Sequence, residues 1–226
     1  MLGFPLGATQ ASAAEVSVDT YISEIYSWYG GAVSKSDIRA AGEKRASQAN
    51  MSLFKTLDKI VKEARSARPT HSCASSAAKH KLTKARKVGD IFVSTSGIAW
   101  FGHAGIYTKT NTVVHHPGMN KRSKSVKAAS IKVGCGSVID SVSTSSAIRK
   151  KAAKLAVKSY LNRQYNWMFP FFNKKFLPLK RVNCSQLVWL TYYRSAKVDL
   201  DGNGGWAVYP WDLDRSSKTK TYKVFK

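Results

Sequence analysis

Between Ile91 and Asp140 the apolar residues of this chain arrive in short bursts rather than in a helical rhythm. Ile91-Phe92-Val93, Ala104-Gly105-Ile106-Tyr107, Thr112-Val113-Val114-His115 and Ser137-Val138-Ile139-Asp140 are separated by Gly, Asn, Lys and Ser. β-Branched and aromatic side chains pack well on a pleated surface, so runs of this length with turn formers between them predict a small antiparallel sheet. Gly89-Asp90 opens the first strand. Lys109-Thr-Asn111 joins the second and third closely enough for a hairpin, which brings His103, near one strand start, and His115, near the next strand end, to the same sheet edge.

On either side the period changes. Val18 to Tyr29 reads as a short helix or an adhesive aromatic segment broken by Gly30-Gly31. From Asp37 to about Ala67, helix formers predominate, and Phe54, Leu57, Ile60 and Val61 share one face opposite Lys55, Lys59, Lys62 and Glu63. This predicts an amphipathic helical arm packed on the body. Its basic face suits an anionic membrane or wall, although a solvated helix surface is the plainer account. Pro69 to Ser76 reads as a connector. Ser145 to Leu161 resumes helical spacing, with Ser145 or Ser146 as its cap, and the aromatic run Tyr165 to Phe176 suits core and groove wall. The expected fold class is α+β, a small antiparallel sheet packed on helices with an N-terminal helical arm. Expected divisions are 1–17, a signal remnant or flexible terminus; 18–76, the helical accessory segment and connector; and 77–226, the body.

With 226 residues, 43% hydrophobic and 22% charged, the chain has the composition of a globular protein with one well-buried domain and an accessory segment. Lys and Arg number 37 against 13 acids, a net charge of +24 that draws the protein toward polyanions. Bacterial wall polymer and anionic lipid headgroups both fit; nucleic acid is disfavoured as the main partner because no reading motif accompanies the charge. Met1 to Pro5 with the Ala-Ser-Ala-Ala stretch ending at Ala14 resembles the tail of a secretory signal, so export is expected. No run approaches the roughly eighteen apolar residues of a membrane span. If the chain is exported, Cys73 and Cys135 are the pair available for a disulfide, leaving Cys184 as the odd thiol. Neither Cys-x-x-Cys nor His-Glu-x-x-His occurs, so no metal site is expected. Asp199-Leu-Asp201-Gly-Asn203-Gly204 has Pro210 where a calcium loop needs its twelfth, acidic ligand, and reads as a turn.

The chemistry concentrates at Cys184. Asn183 can cap a helix from Ser185 through Tyr193, placing the thiol among unpaired backbone N–H groups that favour a thiolate. His103 would act as the base, and His115 would hold the other nitrogen of that ring. The backbone N–H of Cys184 is an oxyanion donor candidate. His116 is the alternate third residue, although on a regular strand it points to the opposite side from His115. A buried structural cysteine with two unrelated histidines is the competing account of the same residues.

The motifs themselves resemble a family. Gly89-Asp90-Ile91-Phe92-Val93, Gly102-His103-Ala104-Gly105-Ile106-Tyr107, Thr112-Val113-Val114-His115 and Asn183-Cys184-Ser185-Gln186-Leu187-Val188-Trp189 resemble, in order, the opening strand, base-bearing strand, third-residue strand and nucleophile helix of NlpC-type papain-like cysteine peptidases and amidases. The order is that of the circularly permuted group, like the YiiX and YycO families. The likeness covers about Lys87 to Ser216. It implies a permuted papain-like body with Cys184 as nucleophile, His103 as base and acid, His115 as orienting residue, no cofactor, and amide bonds of cell-wall peptides as substrate for a secreted or wall-associated bacterial enzyme. Tyr165-Asn166-Trp167 resembles the Pro-Tyr-x-Trp stretch of unpermuted relatives and implies an oxyanion role for Tyr165, with Gln164 in place of proline. Asn183 stands where aspartate is common, and Met168 to Arg181 is an insertion. The same order of residues is similar to the lecithin:retinol acyltransferase group, which implies a lipid or thioester acyl hydrolase or acyltransferase, although Ser185-Gln186 departs from its usual Glu-His. A noncatalytic basic binding module in a papain-like shell is the third expectation.

Overall fold

The computed structural model describes residues 16–73, 78–97, 101–171 and 180–226; the signal-like stretch before Glu15 therefore lies outside the described residues. Three helices come first: α1 (Val18–Trp28), α2 (Lys35–Ala49) and α3 (Leu53–Ser66). Each starts on a serine whose hydroxyl accepts a backbone N–H of the first turn, Ser17, Ser34 and Ser52. The continuous helical arm expected from Asp37 to Ala67 is in fact two helices. Asn50 adopts the left-handed conformation at φ 51° and ends α2, a position asparagine tolerates better than other side chains.

The body is an α+β assembly. Six strands form one antiparallel sheet in the spatial order β5 (Lys124–Lys127), β4 (Thr112–His115), β3 (His103–Lys109), β2 (Ile91–Ser94), β7 (Val138–Val142), β8 (Thr219–Val224). A separate pair joins β1 (Lys79–Lys81) to β6 (Lys132–Gly134). Helices α4 (Ser146–Tyr160), α5 (Cys184–Ala196) and α6 (Pro210–Asp214) complete the body. Alternation along the strands decides which face each side chain serves. Ile91, Val93, Ile106, Val114 and Val138 pack against Ala152, Ala156, Leu187, Val188 and Trp211 of the helices. Phe92, Tyr107, Val113 and Ile139 pack on the other face with Leu82, Ala128, Val133 and Phe225. Both faces are covered, which is why β2 is buried at every position. At ~1.5–3 kcal/mol per large apolar side chain withdrawn from water, both layers oppose the loss of chain entropy.

The helical arm packs on the body through Tyr21, Ile25, Trp28, Leu57 and Ile60, which share a cluster with Phe101, Phe169 and Tyr209. Trp28 meets Phe101 edge-on at 5.3 Å between ring centroids. The Glu63 carboxylate accepts the backbone N–H groups of Trp206 at 3.0 Å and Ala207 at 2.7 Å, and Arg215 donates to the carbonyls of Ser66 and Arg68. Cys73 and Cys135 form a disulfide across 62 positions, their Cα atoms 5.8 Å apart. No described helix is long and apolar enough to cross a membrane.

Candidate functional site

The hairpin between β3 and β4 sets the site. Its register pairs Gly105 with His115, so the two histidines stand diagonally at the strand ends. His103 Nε2 and His115 Nδ1 are 2.8 Å apart, with the rings tilted at 75°. One proton lies between them, and His103 Nδ1 is then the ring nitrogen left for another partner. Two glycines make room. Gly102 lies at φ 78°, and a Cβ there would meet the Ser94 carbonyl; a Cβ on Gly105 would come within 2.5 Å of the Phe92 ring and 3.0 Å of His115 Cβ.

Cys184 is the first residue of α5, and its sulfur is buried. The local sequence dictates this placement. Asn183 Oδ1 accepts the Gln186 N–H at 2.7 Å while Gln186 Oε1 accepts the Asn183 N–H at 3.3 Å, a reciprocal capping box. Gln186 Oε1 also accepts from Asn166 Nδ2 at 3.0 Å, and the Asn166 N–H donates to the Val182 carbonyl. That link carries the Tyr165-Asn166 segment to the helix start. The linking role of Gln186 and Asn166 escaped the sequence reading, although Asn-x-x-Gln before an apolar run is itself the mark of a capping box.

Cys184, His103, His115, Tyr165 and Asn183 line one cavity of ≈ 450 Å³, walled also by Phe101, Phe169 and Lys124. His116 borders the same cavity but does not take the place of third residue: its Nε2 lies 2.9 Å from the Arg163 carbonyl, and its Nδ1 accepts the Gly118 N–H at 3.3 Å. Both of its nitrogens serve the backbone, and the ring partner of His103 is His115. Burial also determines charge. It lowers the pKa of His103 to about 3, with His115 and His116 adding to the effect, and that of His115 to about 4, with Lys124 second. His103 is only half-buried and opens to the cavity, and the shift is toward neutral imidazole. Burial raises the Cys184 thiol above its ordinary value, opposed by the backbone N–H groups of Ala104, Ser185 and Cys184. These directions favour the uncharged forms, thiol and imidazole, and so oppose the pull of the helix start toward a thiolate. His115 Nε2 is buried with no hydrogen-bond partner among the described residues.

Among the described residues no group of three or more His, Cys, Asp or Glu side chains could hold a metal ion. The Asp199–Asn203 segment is a turn in which Asp199 accepts the Asp201 N–H and Trp189 Nε1–H. Of the insertion from Met168 to Arg181, residues 172–179 lie outside the described residues.

No family model matches the chain. A bacterial protein from Bacillus subtilis (strain 168), described as uncharacterized protein YycO, is 33% identical over 137 residues, which is 59% of this chain and 54% of that one. The chain spans about half the length of that relative. Among solved structures, metalloprotein YiiX from Escherichia coli O157:H7 aligns over 61% of this chain and 97% of its own at TM-score 0.43 and 14% identity, too loose a fit to carry an argument about the site. The chain is a distant homologue of a bacterial protein, YycO, over a little more than half of its length.

Proposed function

We propose that the protein is a thiol hydrolase that cleaves amide bonds, with peptides of the bacterial cell wall as its substrate class. The observation that carries the reading is the 2.8 Å contact between His103 Nε2 and His115 Nδ1 in the cavity that also holds Cys184 at a helix start. With His103 Nε2–H donating to His115 Nδ1, His103 Nδ1 is left as the base. As Cys184 Sγ attacks the amide carbonyl, its proton passes to that nitrogen and the carbonyl oxygen gains charge. The Cys184 backbone N–H and the Tyr165 hydroxyl are the donors offered to that oxygen. The His103 Nδ1–H then protonates the leaving amine as the C–N bond breaks, giving a thioester. Water, deprotonated by His103, attacks the thioester, releases the acid and restores the thiol. Because burial favours neutral partners, sulfur attack and proton transfer are coupled, and the charge pair exists only as the oxyanion forms. Sequence likeness to the permuted NlpC-type peptidases supports the assignment, as does the order of a base-bearing hairpin followed by a nucleophile helix. A secreted or wall-associated setting fits the net charge of +24.

The test compares wild type, C184A and H103A on purified wall peptides, following new amines by mass spectrometry. Release by the wild type alone is expected; equal release by C184A would refute the nucleophile. A second reading, acyl-lipid hydrolysis, draws on Phe101, Phe169, Val126 and Ile131, which give the cavity an apolar wall suited to an acyl chain. Cys184-dependent release of fatty acid from phospholipid, without action on peptides, would select it.

A further inference from the structure

Between Glu63 and Asp199 the only acidic residues are Asp90 and Asp140, and both are fully buried. Every exposed formal charge of the described residues in that stretch is therefore positive, and the Cys184 cavity opens within it. Beside that cavity lies a second hollow of ≈ 520 Å³, lined by Lys121, Arg122, Gln164, Tyr165, Trp167 and Arg181 among others. Tyr165 belongs to both. The backbone gathers the cations: Gln164 is bridged antiparallel by Arg122 and parallel by Arg181, which sets the two arginine backbones on either side of it, roughly 10 Å apart and within reach of their long side chains.

Lys121, Arg122 and Arg181 are all exposed, and none takes part in an ion pair among the described residues. Arg122 donates one N–H to the Asn162 carbonyl at 2.9 Å, which fixes the guanidinium and leaves further donors for a ligand. Three like charges on one ledge repel one another, and an anion seated among them relieves that repulsion. The planar forks of two arginines match a carboxylate in particular, while Tyr165 and Trp167 offer apolar surface to the carbon chain that bears it. Lys150, Lys154 and Lys158 of α4 make another basic hollow, but it shares no residue with the Cys184 cavity.

We propose that Arg122 and Arg181, flanking Gln164, form an anion subsite that takes a carboxylate of the substrate close to the scissile amide, so that the preferred substrate is an acidic peptide. The inference rests on the amide-hydrolase reading for its substrate, and is testable without turnover. Full-length C184S is titrated, by fluorescence anisotropy at 0.15 M salt, into two fluorescein-labelled peptides that differ only in a Glu or a Gln beside the central amide. The Glu peptide should bind about tenfold more tightly, as expected for a charge-assisted arginine contact at a partly exposed site. R122Q/R181Q should erase that ratio, whereas K150Q/K154Q, with the same loss of charge, should preserve it. The proposal is overturned if the Glu peptide shows no binding or no preference, if the ratio survives R122Q/R181Q, or if K150Q/K154Q removes it equally. A failure of the nucleophile assignment would appear separately, as equal amine release by wild type and C184A.

Discussion

Replacing Asp140 by asparagine should flatten the dependence of stability on pH. Asp140 is fully buried on β7, and neither of its carboxylate oxygens has a hydrogen-bond partner of good geometry among the described residues; the Thr221 hydroxyl, which donates to Asp214, offsets the shift only in part. Burial first, and the charges of Asp214 and Asp90 after it, raise its pKa from 3.8 to about 8. Folded protein therefore holds a proton that unfolded protein has lost throughout that interval. Stability is fullest below the unfolded value and declines as pH climbs toward the folded one, by up to ~1.4 kcal/mol per unit. The ideal loss over the whole interval is about 6 kcal/mol; relaxation and water entry should leave ~2–4 kcal/mol of it observable, still a large part of a domain's ~5–15 kcal/mol. Urea titrations of wild type and D140N at pH 5, 6, 7, 8 and 9 measure it. Asparagine brings its own burial cost, but that cost does not titrate, so the free-energy difference between the two proteins should shift steadily in favour of D140N from pH 5 to 8 and level off above. A difference that stays constant across that range would show that Asp140 ionises normally and would refute the reasoning.

Three further outcomes are expected. H115A should lower kcat by roughly 10²-fold through loss of the orientation of His103, with partial recovery in H115N, whose carbonyl can accept the same proton; steady-state kinetics on a wall peptide measure both, and an unaffected H115A would remove His115 from the site. Because burial lowers the pKa of His103 far below the usual imidazole value, its base form persists into acid, and kcat/KM should change less than about twofold from pH 7 to 5.5, where an ordinary ring of pKa ≈ 6.5 would cost nearly tenfold. The 62-position loop closed by Cys73 and Cys135 should make C73S/C135S about 2–4 kcal/mol less stable in urea; an unchanged midpoint would show that the bridge adds nothing.

What the sequence made legible was local. Asn183 reads as a cap because its amide can reach the N–H three residues on, and Lys109-Thr-Asn111 reads as a hairpin because it separates two β-branched runs. Those two features alone place His103, His115 and Cys184 at element ends. Two of the strands that escaped, Lys124–Lys127 and Thr219–Val224, each carry a pair of lysines and few aliphatic residues; they lie at the two edges of the sheet, where one side of the strand meets water and the apolar pattern fades. Asn50 hid among helix formers, since a single left-handed residue leaves no periodic trace. The burial around Cys184 was likewise invisible: a helix start argues for a thiolate, and only the packing introduces a desolvation that opposes it. His116 looked interchangeable with His115 until the Arg163 carbonyl and the Gly118 N–H had claimed its two nitrogens.

The Glu63 carboxylate that holds the N–H groups of Trp206 and Ala207 governs how this protein can be trimmed. The motifs read from the sequence begin near Lys87, which invites cutting the chain there. Such a cut would strip the cover from Phe101, Phe169 and Tyr209, two of which wall the Cys184 cavity, and would unhook the segment leading to Pro210 on its rim. The helical arm is a splint for the body. A shortened chain that lost activity would report on its missing brace rather than on Cys184, so function here has to be assayed with the three helices in place.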